Sequence, residues 1–163
     1  AEVVAEPWEP RGPPLDGFLF FCSGATFDEC IERSLFGSGA QDLALLQQIG
    51  PSSRVFLFNF SKRVLYGAFY ARAPAELNLQ PDAWKGSRRR RGLFPAQLSV
   101  GRCHKLRAWR PPEKLRLEQG ALTAEQVARF AKALAGAGSS DFNAENVPLL
   151  AAPLPLLAAP LAT

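Results

Sequence analysis

Methionine is absent from all 163 residues, and histidine occurs once, as His104. With no partner at a recognisable spacing, a Ser-His-Asp or Cys-His centre cannot be built around that one imidazole, and the chain is read as non-enzymatic. Cysteine is nearly as scarce. Cys22, Cys30 and Cys103 are odd in number and form no CxxC pair, which argues against a disulfide framework and against a four-ligand zinc site. No metal and no cofactor are therefore expected, and the simplest compartment is a reducing, intracellular one, cytoplasmic or nuclear. A Walker loop, a GxGxxG turn and an HExxH helix are also missing. The opening "AEVVAEPWEPRGPPL" has neither the basic start nor the unbroken apolar core of a secretory signal. The closing "VPLLAAPLPLLAAPLAT" is apolar, yet Pro148, Pro153, Pro155 and Pro160 interrupt it, and a spanning helix needs about 20 apolar residues with intact backbone bonding. No membrane span is expected. The missing initiator methionine reads as the mark of a processed chain or a segment of a longer one.

What is present is a 47% hydrophobic chain, enough for one compact domain with a core. Composition divides it into an acidic, proline-rich leader over 1–15, a folded domain over 16–137 and an Ala/Leu/Pro-rich tail over 138–163.

Within the domain, "GFLFFCSG" is an apolar run between glycines and predicts a buried strand. The stretch "TFDECIERSLFG" predicts a helix: Thr26 and Glu29 match a capping box, Asp28 and Glu29 suit the helix start, and Gly37 offers a stop. Its apolar face is Phe27, Cys30, Ile31 and Leu35. A second amphipathic helix is predicted over "AQDLALLQQIGP", closed by Gly50 and Pro51. "FLFNFSKRVLYGAFYA" predicts a hairpin whose strands are apolar on both faces and so must be covered on both, with Ser61 to Arg63 as the turn. Gly67 marks a bulge, a bend or a close approach in its second strand. The loop "APAELNLQPDAWKG" follows, then "FPAQLSVGRCHKLRAW" as one long bent strand or two broken near Gly101, then "EKLRLE" as a half-exposed strand. "TAEQVARFAKALAGAG" predicts a final helix with a Thr123–Gln126 capping box and a stop at Gly136. Sequential strands on short links with helices packed on them make an α+β domain: a curled antiparallel or mixed sheet, partly closed as a barrel, with three or four flanking helices.

Charge is unevenly spread. Lys85, Arg88, Arg89, Arg90, Arg91, Arg102, Lys105, Arg107, Arg110, Lys114 and Arg116 face one acid, Glu113, a net +10 over 85–116. The chain total is +4, so the remaining 131 residues carry −6. One basic region is the footprint of a polyanionic partner. A four-arginine run by itself is as well explained by a solvated loop. In "SVGRCHKLRAWR", however, Arg102, Lys105, Arg107 and Arg110 alternate with His104 and Trp109, which places phosphate-pairing groups near rings able to stack on bases.

In order and near-spacing, "GFLFFCSGATFDECIERSLFG", the hairpin, "LNLQPDAW" and "FPAQLSV" resemble the DCD (Development and Cell Death) domain of plant proteins, over about Gly17 to Gly136. The resemblance is to a family that includes the asparagine-rich stress proteins and implies a role in stress-response or programmed-cell-death signalling. It brings no catalytic residues. The Gly86 and Arg88–Arg91 region and the Ala/Leu/Pro tail depart from the family pattern. A weaker resemblance joins the hairpin, the Trp-bearing loop and "FPAQLSV" to PUA-like barrels such as the YTH and EVE modules, several of which bind RNA or a modified base. That resemblance implies a pocket with Trp84 over the sheet and Asn59, Gly67, Phe94 and Gln97 near it. Each has a structural alternative: Asn59 as a loop clamp, Trp84 as a core plug, Phe94 as core, Gln97 as the cap of a bulge.

Two functional readings follow. In the first, Arg88 to Arg91, Arg102, Lys105, Arg107 and Arg110 neutralise the phosphates of RNA or a nucleotide while the pocket takes a base. In the second, an apolar surface around Leu93, Phe94 and the tail serves protein interaction or self-association.

Overall fold

A sheet whose strands are apolar on both faces needs two layers of cover, and the fold supplies them from opposite ends of the chain. The structure is a computed structural model describing residues 2–3, 8–84, 94–137 and 146–151. The strands are β1 (Glu2–Val3), β2 (Gly17–Cys22), β3 (Leu35–Ser38), β4 (Arg54–Asn59), β5 (Val64–Ala71), β6 (Glu76–Leu77), β7 (Ala96–Trp109), β8 (Gly120–Leu122) and β9 (Leu149–Leu150). The helices are α1 (Gly24–Arg33), α2 (Leu43–Leu46), preceded by a 3₁₀ turn at Ala40–Asp42, and α3 (Ala124–Ala135).

The strands run in the order β1-β9-β7-β5-β4-β2-β8, and β3 and β6 pair with the start of β7. β4 and β5 form the antiparallel hairpin, whereas β2 lies parallel to β4. The sheet is thus mixed. The 14-residue β7 carries the curl, pairing at Ala96–Ser99 with β3 and at Val100–Trp109 with β5. The result is a half-barrel within an α+β fold. Alternation along the strands sorts the core into two parts. Phe18, Phe20, Val55, Leu57, Phe69 and Leu98 face inward onto α1, β3 and α2; Leu19, Phe56, Phe58, Leu65 and Tyr70 face outward onto Val127, Phe130 and Leu134 of α3.

α3 begins as predicted, with Thr123 Oγ1 accepting from Gln126 N–H at 3.1 Å and Gln126 Oε1 accepting from Thr123 N–H at 2.9 Å. α1 does not. Its N-cap is Ser23, whose N–H donates to Thr26 Oγ1 at 3.1 Å, so the helix starts one turn earlier and no acid sits in its first turn. It ends at Ser34, which adopts a left-handed φ of 51°, and not at Gly37, which belongs to β3. Asn146 completes that end, its Nδ2 donating to the carbonyls of Ile31 and Glu32. The second predicted helix is shorter than its pattern, with Leu46 and Ile49 as its buried anchors.

"EKLRLE" is also not a strand. Pro111 and Pro112 offer no donors, the chain turns where Leu115 N–H meets Pro112 O at 3.0 Å, and Leu115 is exposed while Leu117 packs on the outer core. Two stretches assigned by composition to leader and tail add to the domain. Trp8 and Leu15 pack on the inner core, and Val147 and Leu150 are buried, Leu150 lying over Gly101.

Candidate functional site

Two of the predicted cations and the predicted glycine meet in one place. α3 lies across β5 and β7 and leaves an open groove of about 480 Å³. Its floor is Gly67 and Ala68, one wall is Ala131, Leu134 and Ala135 of α3, and the other is Tyr70 with His104, Lys105 and Arg107 of β7; Arg54 of β4 also lines it. The pairing explains the shape. Gly67 stands opposite Arg107 and Phe69 opposite Arg102, so residues 103–106 of β7 face Ala68 alone. A bulge of this size pushes side chains out of the ladder, and His104 and Lys105 are exposed there. Gly67 lets α3 approach the sheet closely here: a Cβ on it would lie 2.6 Å from Phe56 Cδ1 and 3.3 Å from Leu134 Cδ1.

Electrostatically the groove is one-signed. Among the described residues its lining holds Arg54, Lys105 and Arg107 and no carboxylate. Among the described residues none of these three forms an ion pair with an acid. Arg107 donates from Nη1 to Ala137 O at 2.8 Å, fastening β7 to the end of α3. The His104 ring stands edge-on to Tyr70, 84° between planes and 6.4 Å between centroids, and Nδ1 meets the Lys105 carbonyl at 3.2 Å.

Residues 16–112, more than half of the chain, match the family described as Development and cell death domain. The chain belongs to the DCD domain family. It is 33% identical over 92 residues to the B2 protein of Daucus carota, a match covering 56% of this chain and 44% of that protein. It is also 33% identical over 92 residues to the DCD domain-containing protein NRP-B of Glycine max (56% and 28%), and 29% identical over 90 residues to the DCD domain-containing protein NRP of Arabidopsis thaliana (55% and 26%). The chain thus matches less than half the length of these curated relatives.

The other expected site residues of this DCD domain lie apart from the groove. Trp84 is 2% exposed, its ring perpendicular to Phe94 at 5.2 Å and its backbone N–H donating to Glu29 Oε2 at 2.7 Å. The Gln97 amide is spent on one backbone residue, Oε1 accepting from Gln80 N–H at 2.7 Å and Nε2 donating to Gln80 O at 3.3 Å. Arg33 joins the same loop to α1 through Gln80, Asp82 and Glu29, and its hydrogen bond to Asp82 raises its pKa above the ordinary value. Glu29, expected as a capping residue, is thus the anchor of the Trp84 loop. Asn59, fully buried, accepts from the N–H groups of Ser61 and Lys62 and shapes the hairpin turn. Arg110 donates to Lys62 O at 2.6 Å, Arg102 lies beside β9, and Trp109 packs on the outer core. Arg88, Arg89, Arg90, Arg91 and Leu93 lie outside the described residues.

Among the described residues no group of three or more His, Cys, Asp or Glu is placed to hold a metal ion, and no helix is long and apolar enough to cross a membrane. The thiols are shielded. A hydrogen bond to Cys30, then burial, raises the Cys22 pKa well above its usual value, and burial raises that of Cys103. The thiolate is the reactive form. A maleimide at neutral pH is therefore expected to label only half-buried Cys103 in the folded DCD domain, and all three thiols in denaturant; native-state labelling of Cys22 or Cys30, read by peptide mass spectrometry, would contradict this.

Proposed function

We propose that this DCD domain is a non-enzymatic module that binds single-stranded RNA through the groove between α3 and the β5–β7 pair, serving stress or cell-death responses in the longer proteins that carry such domains. One observation carries the reading: Arg54, Lys105 and Arg107 line a groove beside two rings, and among the described residues no acid pairs with them. A lining of that kind is suited to a phosphate backbone and unsuited to a cationic or purely apolar ligand.

Three cations in contact with phosphates predict that the logarithm of the association constant falls with log salt at a slope of about −2 for a single strand. Titrating the chain with labelled single-stranded RNA at low and moderate salt measures it. Lys105→Glu is expected to weaken binding at every sequence and to flatten the slope by about 0.7 or more. Changing Arg88 to Arg91 together to Ser reports how far that run adds to the groove. No binding at low salt ends the proposal.

Phe60, at 52% exposed and touching the ring of Phe21, favours a second reading, a protein-docking surface at the hairpin end. Self-association that persists at high salt and disappears with Phe60→Glu would support it over the first.

A further inference from the structure

The groove offers more than charge, and we propose that its mouth is a subsite for one unpaired nucleotide, the base lying on the His104 ring with Tyr70 behind it and the phosphate on Lys105 and Arg54. This inference rests on the reading of the groove as an RNA site. Four features together point to a nucleotide and not to a bare anion. The β7 bulge holds His104 exposed beside Lys105, so a flat ring and a cation occupy adjacent positions at the same rim. Tyr70 is buried and meets His104 edge-on, which fixes the tyrosine as a backing wall and leaves the histidine as the ring available for stacking. Ala68, Ala131 and Leu134 give the groove an apolar side that inorganic phosphate would not use. The volume of about 480 Å³ falls within the range of small-molecule sites.

The same geometry selects against duplexes. A base can lie flat on a single ring at the groove's rim only when it is unpaired and splayed out, and a paired stretch presents its sugar–phosphate exterior instead. Phosphate charge alone would attract both forms, so the preference for single strands is the signature of the ring and not of the cations.

His104 is the sole histidine of the chain, so its Cε1–H proton resonance needs no assignment. The experiment follows that resonance in the full chain while adding, in separate arms, uridine 5′-monophosphate, an oligouridylate of about eight residues, and an RNA duplex of the same length. The expected result is a saturable shift with the mononucleotide and with the single strand, tighter for the strand, and little shift with the duplex. His104→Ala is expected to weaken the single strand by about five- to a hundredfold, the usual range for loss of one stacking partner. Lys105→Glu is expected to weaken both the mononucleotide and the strand.

Salt-sensitive binding of the strand with an unmoved His104 resonance, or equal binding of duplex and strand, overturns the subsite and leaves the RNA-binding groove standing. A polyglutamate peptide that shifts His104 as strongly as the mononucleotide also overturns it, because charge alone would then account for the response. A chain that binds neither strand nor mononucleotide at low salt overturns the subsite and the broader reading together.

Discussion

Replacing Trp84 with alanine is expected to destabilise the domain by about 3–5 kcal/mol, the usual cost of truncating a large buried aromatic. At about 2–4 °C per kcal/mol for a domain of this size, the melting temperature falls by roughly 6–20 °C. The magnitude separates two roles. An exposed stacking platform in a loop could be truncated for a few tenths of a kcal/mol, as most surface substitutions can. Trp84 instead is 2% exposed and packs between Phe94 and β3, where a Cβ on Gly37 would lie 2.9 Å from its ring. Its backbone holds a φ of 62°, unusual for a bulky residue, and its N–H is fixed by Glu29. That conformation persists because Arg33 and Gln97 hold the loop at Gln80, just before it. Urea unfolding of Trp84→Ala and Trp84→Phe measures the effect, with phenylalanine recovering more than half of the loss. A change below about 1 kcal/mol for alanine would return Trp84 to the surface and to ligand binding.

How far the sequence foretold this fold depends on how local each feature is. The hairpin was legible because its double-sided apolar pattern has one structural solution, cover on both faces. The start of α3 was legible because both partners of its capping box stand three residues apart. The ends of α1 were not. Gly24 is a poor helix former and hides the start at Ser23, while Thr26 and Glu29 satisfy the box pattern a turn too late. At the other end, the αL position is taken by Ser34, and the carbonyl of Ile31 near it is met by Asn146 from 115 residues away, a contact that no local signal announces. "EKLRLE" alternates correctly for a strand, but two prolines before it leave nothing to pair with, and the turn at Leu115 settles it. β9 hid in a stretch read as tail because its reason for ordering, Leu150 lying over the bare Gly101, is a tertiary one.

The site divides along the same line. Lys105 and Arg107 could be singled out by charge, Gly67 by its interruption of a strand, and His104 as a ring among cations. Their convergence could not be read, since it depends on the β7 bulge and on α3 crossing the sheet. Arg54, Tyr70 and the small residues of the α3 wall were missed; the one available signal for the wall was the alanine spacing in "ARFAKALA", which reads equally well as ordinary helix propensity. Of the five positions the PUA-like resemblance grouped, Trp84 packs on Phe94 and Gln97 holds the loop before it at Gln80, a closed loop anchor, whereas Asn59 shapes the hairpin turn and Gly67 lies under α3.

The Gly67→Val variant joins the two halves of that picture, because Gly67 is at once hairpin scaffold and groove floor. A Cβ there meets Phe56 at 2.6 Å, and Phe56 is fully buried with its ring perpendicular to Phe130 of α3 at 5.3 Å. The added atoms can be relieved only by turning Phe56 into Phe130 or by lifting α3 from the sheet, since Leu134 stands 3.3 Å from the same point. Overpacking of this kind costs about 1–3 kcal/mol. Either relief moves the wall that faces Tyr70 and His104. Affinity for single-stranded RNA should therefore drop by more than stability explains. Leu46→Ala is the control: it removes a fully buried side chain from the inner core, on the opposite face of the sheet, at a cost of about 2–5 kcal/mol. Measured well below both unfolding midpoints, Leu46→Ala is expected to bind RNA within twofold of the parent, whereas Gly67→Val loses affinity by about tenfold. Equal retention of binding in both variants would detach RNA recognition from the α3 groove and move it to another part of the basic surface.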